Sequence, residues 1–170
     1  MVVIHDGLGS YLATTEVLDT GTITFAPGPS MQAGRCGCAA VLLPGERRVL
    51  VVGGYDFSTC LATTEILDID TMTFAPGPLM SLGRSSCAVA SLSGSVLVVG
   101  GCVTSSTEAK TTEALSLQTM LFVAGPTMLT ARRGCAALAL PRDHAPRCAL
   151  VVSGYDGTSL SMTEVLTTAN

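Results

Sequence analysis

Short apolar runs of strand length recur along this chain, and each is closed by residues that favour turns. Residues 49–52 end at Gly53, residues 71–74 stop before Pro76, and residues 86–90 lead to Ser93 and Gly94. A fourth run at 65–68 is followed by a turn at Asp70. Apolar runs this short, bounded by glycine, proline and aspartate, are typical of β-strands. The pattern predicts an all-β protein.

The same pattern repeats along the chain. Thr-Thr-Glu occurs at 14–16, 63–65 and 111–113, and Met-Thr-Glu at 162–164; Val-Val begins at 2, 51, 98 and 151, and Gly-Pro at 28, 77 and 125. A period close to 50 residues with four strands in each unit indicates a β-propeller. We expect one domain over 1–170, an arc of four-stranded antiparallel blades at about 1–29, 30–78, 79–126 and 127–170.

Two complete blades, with strands over roughly 36–75 and 85–123, are predicted between two incomplete ones. The first blade has predicted strands at 2–4, 14–19 and 22–26 and lacks its innermost strand, while the last, near 134–167, lacks its outermost strand. The arc either closes as a strained four-bladed ring or stays open, and we favour the open arc. Open blade faces would be apolar, which predicts possible self-association.

Composition and charge narrow the class of protein. Hydrophobic residues make up 48% and charged residues 13%, which argues against disorder, and a net charge of −4 without charge runs argues against a nucleic-acid partner. The uncharged stretch 85–107 is interrupted by serine and glycine, so we interpret it as strand, turn, strand and expect no membrane association. The absence of an N-terminal signal pattern and the seven cysteines favour reduced thiols and a cytoplasmic or nuclear location.

Several of these residues together resemble a Kelch repeat. The resemblance rests on Val-Val-Gly-Gly-Tyr-Asp at 51–56, Glu-Ile-Leu-Asp at 65–68, Thr71, Thr-Phe at 73–74, Arg84, and the opening Val-Ser-Gly-Tyr-Asp-Gly at 152–157. The chain departs from the family where leucine replaces tyrosine, phenylalanine replaces tryptophan and cysteine replaces histidine. The resemblance implies a Kelch-type propeller. The departures preserve an apolar interior, at Leu18, Leu67, Leu115, Phe25, Phe74, Phe122, Cys38, Cys87 and Cys135.

Glycines at the end of the second strand of a copy are expected to be structural, because they allow backbone conformations and close approaches that a Cβ forbids. They are Gly53, Gly54, Gly100, Gly101 and Gly154.

One arginine per copy is the most notable polar series. Arg35, Arg84 and Arg132 recur at a constant phase and therefore form an arc around the predicted axis. In one interpretation each arginine forms a buried ion pair with a repeated glutamate, the candidates being Glu16, Glu65 and Glu113. In another the series lines the mouth of the channel and binds an acidic ligand or peptide. Solvated surface is the third possibility.

No catalytic, cofactor or metal site is expected. The apolar Phe and Leu series is predicted to pack between blades, and the repeated cysteines to be small packing residues. Cys36 and Cys38 lie on one strand face without a second cysteine pair at zinc-finger spacing. His5 and His144, the two histidines, belong to no nucleophile or metal motif.

Two classes of function follow from the resemblance. The first is a non-enzymatic protein-interaction module built from Kelch repeats, expected to be a fragment of a longer propeller or adaptor protein and to bind a protein partner. The alternative is a fragment of a Kelch-like sugar-active enzyme, such as a galactose-oxidase-like copper oxidase. A copper site of that kind would draw on Tyr11, Tyr55, Tyr155, His5 and His144, which no local motif groups together.

Overall fold

The computed structural model describes residues 2–3, 11–104, 106–140 and 148–167. Within these ranges every regular element is a β-strand, as the sequence predicted. The strands form a row of antiparallel sheets in chain order, two of them four-stranded. No described element is a helix long and apolar enough to span a bilayer.

The first sheet contains β1 (Val2–Val3), β2 (Thr15–Asp19) and β3 (Thr24–Pro27) in that order. The second contains β4 (Ala39–Leu42), β5 (Arg48–Val52), β6 (Thr64–Asp68) and β7 (Thr73–Pro76), also in chain order. Both follow the predicted strands closely, with β3 and β7 each starting two residues later than expected. Ile23 and Met72 cause these shifts, because their φ values of 54° and 53° belong to the turns and not to strands.

The third sheet contains β8 (Ala88–Leu92), β9 (Ser95–Val99), β12 (Thr112–Ser116) and β13 (Leu121–Ala124). A separate hairpin, β10 (Cys102–Thr104) with β11 (Thr107–Glu108), lies between β9 and β12 in the chain and was not predicted. The fourth sheet contains β14 (Ala136–Leu140), β15 (Cys148–Val152) and β16 (Thr163–Thr167). The stretch 85–107 therefore forms strands joined by turns, as expected.

In the second sheet, the aspartate at the end of the third strand stabilises the tight turn that leads into the fourth strand. The Asp68 carboxylate accepts hydrogen bonds from the backbone N–H groups of Asp70 and Thr71, each at 2.9 Å. Ser116 occupies the corresponding place in the third sheet and accepts from the Thr119 N–H at 3.4 Å. Short polar side chains of this kind replace a backbone turn with a local bond, which explains why the apolar run stops there.

Two apolar clusters join neighbouring sheets. The cluster between the second and third sheets includes Leu50, Val52, Val96 and Leu115, all inaccessible to solvent. The cluster between the third and fourth sheets includes Leu97, Val99, Ala149 and Val151. The burial of these apolar side chains makes the main favourable contribution to the free energy of folding of the sheets.

The repeated phenylalanines do not all lie inside, contrary to the prediction. Each is the direct cross-strand neighbour of its leucine within one sheet, as Phe122 is of Leu115. Phe122 is half-buried against the cluster between the second and third sheets, whereas Phe25 is 53% exposed. The same face of each sheet carries these residues, and for the first sheet no described sheet lies on that side.

Candidate functional site

The three repeated arginines are buried, and each binds a glutamate of the following sheet. The Arg35 Nη2 atom lies 2.7 Å from the Glu65 carboxylate, and Arg84 Nε lies 3.3 Å from that of Glu113. Arg132 forms the third pair, with Glu164. Since these arginines are at most 2% exposed, none faces a ligand. The pairing also corrects the expected glutamate set, because Glu164 takes part and Glu16 does not.

Additional hydrogen bonds stabilise the buried charges of each pair, although Nε of Arg35 and of Arg132 has no hydrogen-bond partner among the described residues. Glu65 accepts from the backbone N–H groups of Gln32 and Ala33 at 2.7 and 3.2 Å, in the connector that also carries Arg35. Arg35 Nη1 donates to the carbonyl of Gly53 at 2.7 Å and to that of Thr63 at 3.2 Å. Such bonds compensate for the loss of hydration when an ion pair is buried. The arginine series thus anchors each connector to the next sheet.

The first glycine of the double-glycine pair makes room for the next connector. Gly53 has a φ of 62°, and a Cβ there would lie 2.2 Å from the carbonyl oxygen of Arg84. Gly100 has the same relation to Arg132, at 2.4 Å. Ser153 occupies the corresponding position of the fourth sheet with a φ of 61°. A side chain fits at Ser153 because no described connector follows the fourth sheet.

The second glycine approaches the arginine of its own sheet. A Cβ on Gly54 would lie 2.9 Å from Cβ of Arg35, and one on Gly154 would lie 3.1 Å from Cβ of Arg132. A Cβ on Gly101 would instead lie 2.7 Å from the carbonyl oxygen of Ser85 and 2.9 Å from Cβ of Cys87. These glycines pack the connectors closely, and Gly154 also lines a surface cavity.

A groove of three adjoining cavities crosses the second, third and fourth sheets at the end where these glycines lie. We call it the rim groove. The central cavity has a volume of about 360 Å³, and its two neighbours have about 310 and 320 Å³. Tyr55 and Cys60 line the central cavity and one neighbour, while Ser86 and Arg133 line the central cavity and the other. Shared walls make the three cavities one surface.

The floor of the rim groove is a chain of backbone hydrogen bonds between equivalent residues. Ser86 N–H donates to the Gly37 carbonyl at 2.7 Å, and Gly134 N–H donates to the Ser86 carbonyl at 2.8 Å. All three residues have φ values between 52° and 60°. Because each repeat has a residue with a positive φ at the same position, the hydrogen bonds run from one sheet to the next.

An aromatic cluster of Tyr11, Tyr55 and Phe57 lies at one end of the rim groove, and of these three residues Tyr55 lines its cavities. Tyr55 lies in the groove wall and donates from its hydroxyl to the Phe57 carbonyl at 3.1 Å. The Phe57 ring packs edge-on against Tyr11, with centroids 4.1 Å apart, and Tyr11 lies 5.8 Å from Tyr55. Phe57 is nevertheless 65% exposed and has a φ of 87°. Bulky residues rarely adopt this conformation.

Asp56 fixes the loop that carries Phe57. Its carboxylate accepts from the backbone N–H groups of Thr59 and Ser58, at 3.0 and 3.2 Å, and from the Ser58 hydroxyl at 3.0 Å. These hydrogen bonds lower the pKa of Asp56, and the bond from the Thr59 N–H has the largest effect. The equivalent loop of the fourth sheet has Gly157 at the place of Phe57, with a φ of 107°. The backbone conformation at this position therefore favours glycine. The hydrogen bonds of the loop hold Phe57 in that conformation.

The other end of the rim groove is cationic. The Arg133 guanidinium lies 4.9 Å from the centroid of the Tyr155 ring, 3.4 Å from the Glu108 carboxylate and 3.3 Å from Cys102 Sγ. Its side chain is 35% exposed. Stacking and pairing hold the guanidinium in a fixed position that an acidic group can still reach.

Three thiols lie between these ends, those of Cys36, Cys60 and Cys102. Burial raises the pKa of Cys36, which keeps its thiol protonated near neutral pH. Of the repeated cysteines, Cys87 lies in the cluster between the second and third sheets, and burial raises its pKa to about 12. All seven cysteines are free thiols.

The described part of the chain brings no three histidine, cysteine or acidic side chains together in a way that could hold a metal ion. His5 and His144 lie outside the described residues. Tyr155 stacks on Arg133, away from the contact between Tyr11 and Tyr55.

Sequence reasoning did not single out Arg133, Phe57 or the thiols as one site. The available signal was the alignment of residues 55–59 with 155–159, which places Phe57 where the other copy has glycine. In comparisons with protein-family models and with curated proteins, nothing matches this chain.

Proposed function

We propose that this chain is a non-enzymatic protein-interaction module of Kelch-type propeller repeats, and that its rim groove binds an extended segment of a partner protein. An aromatic or aliphatic side chain of that segment packs on Tyr55 and Phe57. An acidic residue of the same segment binds Arg133. Between these two contacts, hydroxyl and backbone groups of the groove donate hydrogen bonds to the partner's main chain and accept hydrogen bonds from it.

The exposed and strained Phe57 carries this proposal. Holding a non-glycine residue in such a conformation costs about 1–3 kcal/mol, and residues of this kind cluster at functional sites. A phenylalanine exposed to 65% recovers only part of that cost through its contact with Tyr11. Rigid aromatic residues beside a groove are the usual anchors of protein interfaces, and arginine is another.

The Cys36 thiol supports binding over catalysis at that residue. A cysteine nucleophile needs a lowered pKa, supplied by a nearby cation or base, whereas burial raises the pKa of Cys36. Arg133, the cation in this groove, already lies against Glu108 and Tyr155. The groove therefore offers contact surface and one charge.

Selection of random linear peptides displayed on phage tests the proposal. We expect enriched peptides to combine an aromatic or aliphatic residue with an acidic one. Phe57→Gly and Arg133→Gln should each weaken binding of these peptides roughly tenfold or more. Leu129→Ala is the matched control, because Leu129 is 89% exposed and belongs neither to the aromatic cluster nor to the cavity walls.

Failure to enrich any peptide would contradict the proposal. So would enriched peptides that bind the Phe57→Gly and Arg133→Gln variants as tightly as the unaltered protein. Circular dichroism of each variant separates loss of binding from loss of structure.

A further inference from the structure

One copy of the repeat has a cysteine in the rim groove where two others have a tyrosine. Tyr55 in the second copy and Tyr155 in the fourth each follow the second glycine position, and the equivalent residue of the third copy is Cys102. Each of the three pairs across an antiparallel bridge with the residue after the buried arginine, namely Cys36, Arg133 and Ser85 respectively. The third copy therefore has two small side chains at this bridge.

The backbone at Cys102 matches the backbone at the two tyrosines. The Cys102 N–H donates to the Ser85 carbonyl at 2.7 Å, and the Ser85 N–H donates to the Cys102 carbonyl at 2.9 Å. Tyr55 exchanges the same two bonds with Cys36, at 2.9 and 3.1 Å. Tyr155 does so in the fourth sheet, at 2.9 and 3.0 Å. Because the main chain is held in the same way, the copies differ here in the side chain alone.

The central cavity of the rim groove lies at this substitution. Cys102 and Ser85 line it together with Cys60, whose thiol lies 3.5 Å from the Ser85 hydroxyl oxygen. Tyr55 lines the side shared with one neighbouring cavity, and Arg133 the side shared with the other. Small side chains between two large ones leave a space of about 360 Å³. Since an apolar cavity of about 150 Å³ can bind benzene, this space is large enough for a single ring.

The walls of the central cavity favour an aromatic ring over an aliphatic group. The Arg133 guanidinium lies 4.9 Å from the centroid of the Tyr155 ring and 3.3 Å from Cys102 Sγ, so a ring beside Cys102 would contact the same cation. Tyr55 provides a second aromatic contact. Three side-chain hydroxyl groups that can hydrogen-bond a phenol also line the cavity, those of Ser85, Ser86 and Thr104.

We infer that the central cavity is a binding site for one phenolic ring, which lies where the third copy lacks its repeated tyrosine. The inference rests on the proposed function for the source of the ring, which is a tyrosine of the partner segment. That tyrosine enters the cavity between the contacts that the segment makes with Phe57 and with Arg133. A free phenolic ligand would use the same chemistry, and the experiments below separate the two sources.

The compound p-cresol, which reproduces the side chain of tyrosine, is the probe. Its binding to the isotope-labelled, unaltered protein is followed by the NMR shifts of the backbone amides. We expect saturable shifts at Cys60, Ser85 and Cys102, with a dissociation constant of roughly 1 mM. The matched compound 4-methylcyclohexanol, which lacks the aromatic ring, should bind roughly fivefold more weakly or worse. Absence of saturable shifts at these residues overturns the inference, and so does equal binding of the two compounds.

A substitution that fills the cavity tests the site directly. Cys102→Tyr introduces the residue of the second and fourth copies on the same backbone, and it should weaken p-cresol binding roughly tenfold or more. Leu129→Tyr adds a ring outside the groove and should leave binding unchanged. Unchanged binding to the Cys102→Tyr variant would show that the ring lies elsewhere. If that variant does not fold, nuclear Overhauser contacts of p-cresol with Tyr55 and Arg133 in the unaltered protein decide, and their absence makes the inference wrong.

The peptides from the phage selection identify the source of the ring. We expect them to contain a tyrosine whose replacement by alanine weakens binding roughly tenfold or more, and we expect the Cys102→Tyr protein to reject them. Peptides that depend on Phe57 and Arg133 but bind the Cys102→Tyr protein normally would support the proposed function and overturn this inference. Binding of p-cresol without any enriched peptide would support the ring site, contradict the proposed function and assign the cavity to a free phenolic ligand.

Discussion

The carbonyl oxygen of Arg84 lies where the side chain of residue 53 would be, 2.2 Å from the position of a Cβ. The backbone N–H of Gly54 donates to the same oxygen at 2.8 Å. A residue of one sheet thus limits which residue can end a strand of the preceding sheet. This contact links the double glycine to the arginine series in physical terms.

Gly53→Ala should therefore lower the free energy of unfolding by more than about 2 kcal/mol, because it combines a clash with backbone and an unfavourable positive φ. Ser153→Ala is the matched control and should change the stability by less than about 0.5 kcal/mol, since a Cβ is already present there. Urea denaturation followed by circular dichroism measures both. Similar effects of the two changes would show that the Arg84 carbonyl does not set the requirement.

The buried pair of Arg84 and Glu113 should contribute far more to stability than a surface pair. Glu113→Gln leaves the guanidinium buried without its counter-charge, and we expect a loss of about 3–5 kcal/mol. Arg47→Gln removes the pair with Asp70, whose side chains are 69% and 63% exposed, and should cost less than about 0.5 kcal/mol.

Double-mutant cycles distinguish this pair from general damage to the core. Arg84→Gln combined with Glu113→Gln should cost less than the sum of the two single changes, because the singles share the loss of one interaction. Strict additivity would mean that the two charges are not coupled.

Phe57 provides a test of backbone strain. Alanine variants are usually more stable than glycine variants, and the reverse is expected at this position. Both Phe57→Ala and Phe57→Gly remove the ring, but only glycine relaxes the φ of 87°. We expect the glycine variant to be more stable than the alanine variant by about 1 kcal/mol. At Leu129, which has no positive φ, alanine should be the more stable of the two. Thermal unfolding of the four variants decides the matter.

Acid should weaken the turns that aspartate closes. The N–H bonds from Thr71 and Asp70 lower the pKa of Asp68, so its contribution to stability is present above the ordinary aspartate pKa of about 4 and is lost as the pH falls below it. The stability difference between the unaltered protein and Asp68→Asn should shrink over that range. Ser116→Ala, in the equivalent turn, should have an effect that does not change with pH.

Most of the fold could be predicted because strands and turns depend on local signals. Apolar runs of four or five residues, with glycine, proline or aspartate after them, placed the individually predicted strands to within two residues, whereas the hairpin of β10 and β11 was missed. Where a backbone angle mattered, as at Met72, the sequence carried no warning, because methionine normally avoids a positive φ.

The candidate sites could be predicted only in part, since they depend on contacts between repeats. The phase of Arg35, Arg84 and Arg132 showed that they are equivalent, but it did not show which glutamate each one reaches. The exposure of Phe25 likewise reflects the position of its sheet in the row. The rim groove gathers residues from loops of three sheets, and no spacing in the sequence brings Phe57 and Arg133 together.

The outward face of the fourth sheet is the last feature with a measurable consequence. Leu138, Leu150 and Val165 are aligned across its three strands, and Leu138 and Val165 are 62% and 54% exposed. The equivalent face of the third sheet, with Ala90, Leu97 and Ala114, is covered by the fourth sheet itself. An uncovered apolar face of this kind favours association.

We expect two copies to meet through this face, because the described strand residues that form it carry no charge and the face is therefore compatible with itself. The face of the first sheet is a poorer match, since it would bury Glu16 without a cation. Light scattering over a concentration series should show the mass rising from that of a monomer to that of a dimer. Leu138→Lys should keep the protein monomeric, whereas Leu129→Lys, at a residue that is 89% exposed in a connector, should leave association unchanged. A protein that stays monomeric at all concentrations, or equal effects of the two substitutions, would show that the fourth sheet does not form this contact.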